Sequence, residues 1–318
     1  MHALQFNAAG DLSSLRHLEL PTPVPAADEV LVEVRAAGLN PSDVKNVLGR
    51  FPYTTLPRVP GRDFAGVVVQ GPAELVGQEV WGTGNQIGFS RDGSHASHIC
   101  LPASGVARKP ASLSFVQAAS CGVPYTTAWD ALERTRVQTG TRLLVIGAGA
   151  VAAAAVNLAR ALGAEVLIAA RRLEPLGGFE EDGIPTLLLG DPANLPGQVE
   201  VNFPGGAEVI LDTTGFWLPA AVPALATFGR IAIIAAPVDG LVQLPALNLY
   251  RRGGVLVGIN SLLYSTAECA AMLDGFGHLF DEGKLPLPGD LRSVPLSDGP
   301  ACYRAVNDGS TEKFILCP

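Results

Sequence analysis

The pattern of apolar and polar positions divides the chain into two parts with different periods. Residues 1 to about 117 carry short alternating runs broken by Gly and Pro, such as "EVLVEVRAAG", "FAGVVVQG" and "GQEVWGTG". A period of two, with a turn every ten residues or so, is typical of half-buried strands. The pattern therefore predicts a strand-rich domain over residues 1–117.

From about residue 118 the pattern changes. The stretch "SFVQAASCGVPYTTAWDALERTRV" has helical spacing, and apolar segments then alternate with Ala-rich helical stretches. Near-continuous apolar strands that alternate with helices indicate a parallel sheet covered on both faces. Six such strands fit a doubly wound nucleotide-binding sheet. The candidate strands are 142–146, 165–169, 185–189, 208–212, 230–235 and 254–259.

The pattern of residues 262–318 predicts one helix and a final apolar strand. We expect both to return to the first domain. The predicted fold is therefore α/β, with a strand-rich domain over 1–117, a nucleotide-binding domain over 118–261 and a C-terminal return over 262–318.

Composition narrows the class of function. The 318 residues are 48% hydrophobic, which is enough for two domains with real cores. A formal charge of −8 argues against nucleic acid, which is bound through clustered Lys and Arg. No apolar run approaches the roughly 20 residues that cross a bilayer, and no leader pattern opens the chain, so we expect a cytoplasmic protein. The five cysteines form no C-x-x-C pair, which speaks against a disulfide framework or a structural zinc site.

The strongest motif lies in "LLVIGAGAVAAAAVNLARALGAEVLIAARR", residues 143–172. Gly147, Gly149 and Ala152 form G-x-G-x-x-A between a predicted strand and a predicted helix, the context in which this pattern is informative. Gly147 allows the tight turn, Gly149 lets the backbone approach a pyrophosphate, and Ala152 permits close packing of the helix on the sheet. The helix N-terminus then offers free N–H groups to the phosphates.

The end of the second strand of this motif indicates which dinucleotide is bound. An NAD enzyme would have Asp or Glu there for the ribose hydroxyls, whereas this chain has Arg171 and Arg172. A guanidinium pairs with a phosphate through two charge-assisted hydrogen bonds. The sequence therefore favours NADP(H).

The order and content of "EVLVEVRAAGLNPSD", "LPRVPGRDFAGVV", "YTTAWDAL", "LDTTG" and "RRGGVLVGINS" resemble the medium-chain dehydrogenase/reductase superfamily along nearly the whole chain. This resemblance implies a catalytic domain with a GroES-like β-barrel, a Rossmann domain and a cleft between the two. Dimers are common among such proteins, so a homodimer is one expectation. The resemblance also extends the predicted cofactor site to Thr127, Ala150, Val151, Thr213, Gly258 and Asn260.

The ligands of the superfamily's zinc-dependent members are largely missing. Those enzymes have a Cys near Asn40 and Gly-His-Glu where this chain has Gly61, Arg62 and Asp63. Cys121 lies close to the place of a third ligand, but a catalytic zinc needs about three protein ligands. His95 and His98 fall in a strand-like stretch, where residues i and i+3 point to opposite faces. We therefore expect no metal.

Without a Lewis acid to polarise a carbonyl, acceptors that take hydride readily remain. The chain resembles zinc-independent quinone oxidoreductases and enoyl reductases, which reduce quinones or the C=C bond of α,β-unsaturated carbonyls with NADPH. In "GLNPSDVKN", Lys45 is the best charged donor to the developing enolate and Asn40 a neutral one. Tyr53, Tyr125 or water would supply the proton.

Two alternatives remain open at this point. The first is an NADPH-binding sensor or structural protein with little catalysis, because the sequence shows no unambiguous general acid. The second is a zinc-type alcohol dehydrogenase, which would require bound zinc. The physiological substrate is a small molecule that the sequence does not identify.

Overall fold

The computed structural model describes all 318 residues, which form two compact units. Unit 1 comprises residues 1–126 and 261–318, and unit 2 comprises residues 127–260. The sequence placed the domain boundaries at 117/118 and 261/262, whereas the units change at 126/127 and 260/261. The first change falls inside a helix rather than before it. None of the helices is long and apolar enough to span a bilayer.

Unit 1 is built on a seven-stranded sheet in the order β14-β15-β3-β4-β5-β7, with β6 paired to β3. One edge of β3 is shared, since Glu29–Glu33 pair with β6 and Ala37–Gly38 pair with β15. A separate antiparallel pair, β1 and β2, completes the strands. They are β1 (His2–Gln5), β2 (Arg16–Glu19), β3 (Glu29–Gly38), β4 (Asp63–Gln70), β5 (Glu79–Gly82), β6 (His98–Pro102), β7 (Ala107–Arg108), β14 (Leu291–Pro295) and β15 (Lys313–Cys317).

Unit 2 contains a six-stranded sheet in the order β10-β9-β8-β11-β12-β13. Every neighbouring pair is parallel, so the six predicted strands and the doubly wound order are confirmed. Residues on both faces of β8, β9 and β11 are buried, which explains why these three strands are almost wholly apolar. The strands are β8 (Arg142–Ile146), β9 (Glu165–Ala170), β10 (Thr186–Leu188), β11 (Ala207–Asp212), β12 (Leu225–Ile233) and β13 (Val255–Gly258).

Ten helices connect these strands. Asn40 caps the first of them: Pro41 follows it and the Asp43 carboxylate accepts its backbone N–H, which fixes the start of the helix. The helices are α1 (Pro41–Val47), α2 (Phe115–Ala119), α3 (Gly122–Arg134), α4 (Ala150–Ala161), α5 (Gly177–Glu181), α6 (Leu195–Asn202), α7 (Leu218–Ala224), α8 (Ala246–Arg251), α9 (Thr266–Asp281) and α10 (Gly299–Asn307).

The C-terminal segment contains more structure than its pattern predicted. The expected helix is α9 and the expected strand is β15, but β14 and α10 lie between them. The prediction missed β14 because its side chains are mostly exposed and do not alternate between apolar and polar. It missed α10 because this helix begins with Gly299-Pro300, a pair that resembles a turn although Pro is well tolerated in the first helical turn. β14 is stabilised by parallel pairing with β15, a contact that no local pattern reveals.

Candidate active site

A buried polar network lies in unit 1 where β3 leads into α1. The Lys313 ammonium donates to Asn40 Oδ1 at 2.7 Å and to the Leu39 carbonyl at 3.1 Å. Asn40 Nδ2 donates to Asp63 Oδ2 at 2.8 Å, and Asp63 Oδ1 accepts the Val123 backbone N–H at 2.8 Å. Asn40 and Asp63 are buried. The network therefore ties β15, the β3–α1 junction, β4 and the first turn of α3 together.

Four ionisable side chains share this region, two acidic and two basic. Burial raises the pKa of Asp63, and the neighbouring Lys313 ammonium opposes the rise. Burial likewise raises the pKa of Asp43, opposed mainly by the Arg62 guanidinium. Burial lowers the pKa of Lys313, and Asp63 is the strongest opposing influence. Each charge is thus tolerated because an opposite charge lies nearby.

The close approach of these groups explains one glycine at the start of α3. A Cβ added at Gly122 would lie 2.4 Å from Asp63 Oδ1. Asp63 can therefore reach the helix start only because residue 122 has no side chain.

His95 fills a buried position beside this network. Its Nε2 lies 3.2 Å from the Gly38 carbonyl, which can only accept, so Nε2 carries the proton and Nδ1 accepts from the Tyr303 hydroxyl at 2.8 Å. Burial lowers the pKa of His95 to about 4, which keeps the ring neutral at neutral pH. The prediction that His95 is a strand residue was wrong: β6 begins at His98, and His95 precedes it in a loop held by these two bonds.

The four predicted catalytic residues occupy different environments within unit 1. Both polar side-chain atoms of Asn40 are engaged in the network, whereas Lys45 is exposed on α1. Tyr53 is 52% exposed, and Tyr125 is buried against two phenylalanines of α9. Burial raises the pKa of the Tyr53 hydroxyl, opposed by the Arg62 guanidinium. Their catalytic roles stay predictions.

The donor set in this region does not fit a catalytic zinc. Asn40 and Arg62 stand at the places of two ligands, and burial raises the pKa of the third candidate, Cys121, to about 12. Its thiol donates to the Gln117 carbonyl instead. No group of three His, Cys, Asp or Glu side chains is arranged to hold a metal ion. A guanidinium and an ammonium in the same cluster would further oppose a divalent cation.

Unit 2 provides a cradle for a dinucleotide between β8 and α4. Gly147 has φ +113°, and a Cβ there would lie 2.1 Å from the Thr213 hydroxyl oxygen, so only Gly fits. Gly149 is different: its φ is −86° and a Cβ would meet nothing within 4 Å. Neither strain nor crowding requires glycine at 149, so the open space in front of it is suited to a ligand. The 12-residue helix α4 begins at this point.

Apart from Thr127, the other predicted cofactor residues follow the carboxyl ends of strands in unit 2. The carboxyl ends of parallel strands lie on the same side, where ligands of such sheets bind. Thr213 follows β11 and donates its hydroxyl to the Ile146 carbonyl at the end of β8. Thr127 is buried in α3. The rest comprise Ala150 and Val151 in the first turn of α4, the exposed Arg171 and Arg172 after β9, Gly258 at the end of β13 and Asn260 two residues later.

Asp212 is a structural determinant of this edge that sequence reasoning missed. It is buried at the end of β11, and its carboxylate accepts the backbone N–H groups of Thr214, Gly215 and Trp217. These bonds shape the turn that carries Thr213. The signal was present in "LDTTG", where an Asp directly before Thr and Gly is typical of a turn organised by its own side chain.

Comparisons with known proteins agree with this architecture. Residues 26–111 match the alcohol dehydrogenase GroES-like domain. A zinc-type alcohol dehydrogenase-like protein of Schizosaccharomyces pombe is 35% identical over 307 residues, covering 93% of this chain and 90% of that protein. A 2-methylene-furan-3-one reductase of Solanum lycopersicum is 37% identical over 172 residues, covering 50% of this chain and 44% of its own length.

Among solved structures, a quinone oxidoreductase of Pseudomonas syringae pv. tomato DC3000 superposes with a TM-score of 0.86 over 100% of this chain and 99% of its own, at 23% identity. That likeness shows the fold. Together with the extended identity to the yeast relative, it establishes that the chain belongs to the medium-chain dehydrogenase/reductase family. It is an oxidoreductase of that family, with a fold that binds a nicotinamide cofactor.

Replacing Asp63 with Ala should lower the free energy of unfolding by about 1–3 kcal/mol for each of the two buried donors, Asn40 Nδ2 and the Val123 N–H, that lose their acceptor. Chemical denaturation monitored by tryptophan fluorescence measures the change. Asp274→Ala, at an exposed position of α9, is the matched control and should stay within about 0.5 kcal/mol of wild type. Equal stability of both variants would show that the network contributes little.

Proposed function

We propose that the protein is a zinc-independent, NADPH-dependent reductase of quinones or of the C=C bond of α,β-unsaturated carbonyls. The observation that carries this proposal is the hydrogen-bonded set Lys313–Asn40–Asp63, with Arg62 beside it, where zinc-dependent members place metal ligands. Without a metal, a saturated carbonyl lacks its usual electrophile. Quinones and enones need less assistance because hydride addition yields a delocalised oxyanion.

Two of the similar proteins support this class of acceptor. The tomato relative is named as a reductase of 2-methylene-furan-3-one, a compound with a C=C bond conjugated to a carbonyl. The Pseudomonas structure is named as a quinone oxidoreductase. The first likeness covers about half of this chain and the second is one of fold, so the substrate class is a proposal for this protein.

The bound cofactor would supply a hydride, which is two electrons and one proton, from C4 of its nicotinamide. The chain would bind the cofactor and the acceptor and orient them for hydride transfer. The free N–H groups at the start of α4 would hold the pyrophosphate, and Arg171 with Arg172 the 2′-phosphate. Lys45 would donate to the developing oxyanion. Tyr53, Tyr125 or water would then deliver one proton, which completes the reduction.

A second candidate function is an NADPH-binding sensor or structural protein with little catalysis. It is favoured by the engagement of Asn40 in the buried network and by the burial of Tyr125 among phenylalanines. Two of the four predicted catalytic residues thus have evident roles in the fold of unit 1.

A turnover panel with NADPH separates the two functions. We expect oxidation of NADPH, followed at its absorbance maximum, with small quinones or enones but not with saturated ketones or aldehydes, and no loss of activity in a chelator. Gly149→Val is the control, because its side chain would fill the open space at the cradle without straining the backbone and should abolish NADPH binding. Turnover of a saturated ketone alone would refute the proposal. Tight NADPH binding without any turnover would establish the sensor.

Arg171→Ala should weaken NADPH binding by about 10- to 150-fold and leave NADH binding nearly unchanged. A hydrogen bond to a charged group is worth roughly 1.5–3 kcal/mol, and NADH has no phosphate at this position. Fluorescence titration of both cofactors measures the effect, with Arg160→Ala, an exposed arginine on α4, as the control. Equal affinities of the wild-type protein for NADPH and NADH would refute the proposal that Arg171 and Arg172 bind the 2′-phosphate.

The edge strand β13 of the sheet in unit 2 is a candidate surface for homodimer formation. β13 pairs only with β12, so the backbone groups of its outer edge have no partner strand. Val255 on this strand is 48% exposed, and Leu247 and Tyr250 on the preceding helix α8 are exposed as well. An unprotected apolar edge is a template for pairing with another strand. We propose that β13 of a second copy covers it about a twofold axis.

Light scattering coupled to size-exclusion chromatography should give the mass of a dimer at micromolar concentration. Val255→Lys should shift the mass toward the monomer, because a charge would be buried at the strand edge. Val201→Lys is the matched control, since Val201 is 83% exposed on α6, and it should remain dimeric. A monomeric wild type, or an unchanged Val255→Lys mass, would contradict this arrangement.

A further inference from the structure

Arg62 is a buried cation with few partners. Arg62 lies directly before β4 in unit 1 and is only 3% exposed. One terminal nitrogen donates to the Ser42 hydroxyl at 2.8 Å, and the buried Nε has no acceptor. Arg62 takes part in none of the ion pairs of the structure. Most of the five N–H donors of this guanidinium therefore have no acceptor within the chain.

Two other buried or half-buried cations of unit 1, unlike Arg62, have several hydrogen-bond acceptors. Lys313 donates to an amide and a carbonyl oxygen, and Lys109 pairs with Glu79 and donates to two carbonyls. Burying a charge without such partners is costly, and folds rarely retain one without a use. Arg62 has the Asp43 charge nearby but donates to no carboxylate or carbonyl oxygen, so its retained donors point to a partner outside the chain.

An aromatic cluster adjoins the guanidinium. The Arg62 guanidinium carbon lies 5.7 Å from the centroid of the Phe89 ring. Phe89 in turn contacts Phe51 and Tyr53, with ring centroids 5.1 and 5.6 Å apart. Tyr53 is half-exposed, so the cluster leads from the surface of unit 1 to the buried cation. A flat conjugated molecule can pack against such rings, and an oxygen at its edge can accept from the guanidinium.

We propose that Arg62 binds the acceptor's carbonyl oxygen, with Phe51, Tyr53 and Phe89 packing against its conjugated plane. This inference rests on the proposed function and names Arg62, rather than a metal, as the electrophilic group of the site. Hydride adds to a carbon of the acceptor, the π electrons move to the oxygen, and the resulting oxyanion is stabilised by Arg62. Water then protonates that oxygen, because a guanidinium is not deprotonated in proteins. The enol that forms from an enone tautomerises to the saturated ketone.

A binding measurement tests this site without turnover. The probes are 4-nitrophenolate, which carries an oxyanion on a flat ring, and 4-nitrotoluene, its uncharged counterpart. Arg62→Met should weaken 4-nitrophenolate binding by about 10- to 150-fold, the value of a hydrogen bond to a charged group, and change 4-nitrotoluene binding little. Arg62→Lys should retain part of the preference. Arg50→Met, which removes an exposed arginine of the same unit, should behave as wild type.

Equal affinity of wild type and Arg62→Met for 4-nitrophenolate would overturn the proposal. Met is comparable in length and apolar, and Arg62 donates no hydrogen bond to a carboxylate. Asp43 loses its main opposing charge in this variant but keeps the Asn40 N–H and the nearby Lys313 ammonium, so we expect the variant to fold. If its melting temperature shows otherwise, Arg62→Lys and Arg62→Gln decide the question by the same titration. Lys should bind the phenolate more tightly than Gln, and equal binding by the two refutes the site.

Kinetics with acceptors of graded reduction potential distinguish a catalytic from a structural role. If Arg62 stabilises the oxyanion, Arg62→Met should lower kcat most for enones and weakly oxidising quinones, and least for strongly oxidising quinones. A uniform loss over the series would assign Arg62 to the fold and overturn the proposal. If wild type reduces no acceptor at all, the proposed function fails, and the phenolate titration still decides whether Arg62 forms an oxyanion site.

Discussion

The rest of unit 1 depends on one chain of hydrogen bonds, from the Lys313 ammonium through the Asn40 side chain to the Asp63 carboxylate and on to the first turn of α3. These four points belong to segments far apart in sequence, so the chain of bonds holds the C-terminal strand, the β3–α1 junction and α3 in one arrangement. Because the groups are buried, each is costly alone and stable only with its partners. The constraint also accounts for Gly122, which must be small to admit Asp63.

This constraint explains the role of one of the residues that stand at the places of zinc ligands. Where the related metal enzymes place ligands, this chain has an amide and a guanidinium, and the amide has become part of the support of the fold. The Arg62 guanidinium does not support the fold in this way, since it retains N–H donors that have no acceptor in the chain. Asn40 thus stabilises the fold, whereas Arg62 has donors that can bind an acceptor. The aromatic rings beside Arg62 define the kind of molecule that fits there.

Much of the fold could be predicted because its signals are local. Six apolar strands alternating with helices indicated the parallel sheet, and G-x-G-x-x-A after a strand indicated the cradle at Gly147 and Gly149. The short helix α10 and the strand β14 were missed because one begins with Gly-Pro and the other is mostly exposed. Both are stabilised by contacts with distant segments, which periodicity does not record.

The sequence by itself determined the class of fold and the strand–turn–helix around Gly147 and Gly149, and it predicted the cofactor site and the absence of a zinc site, because each depends on residue types at fixed spacing along a strand, a turn or a helix. Tertiary structure decided which polar residues support the fold and which remain available. Asn40 and Lys45 looked alike as donors in one loop, yet the first is enclosed between Lys313 and Asp63 and the second is exposed. Arg62 looked like a lost ligand, and only its burial beside Phe89 revealed a cation with unused donors. Burial and partnership arise from segments brought together by folding, so no local pattern contains them.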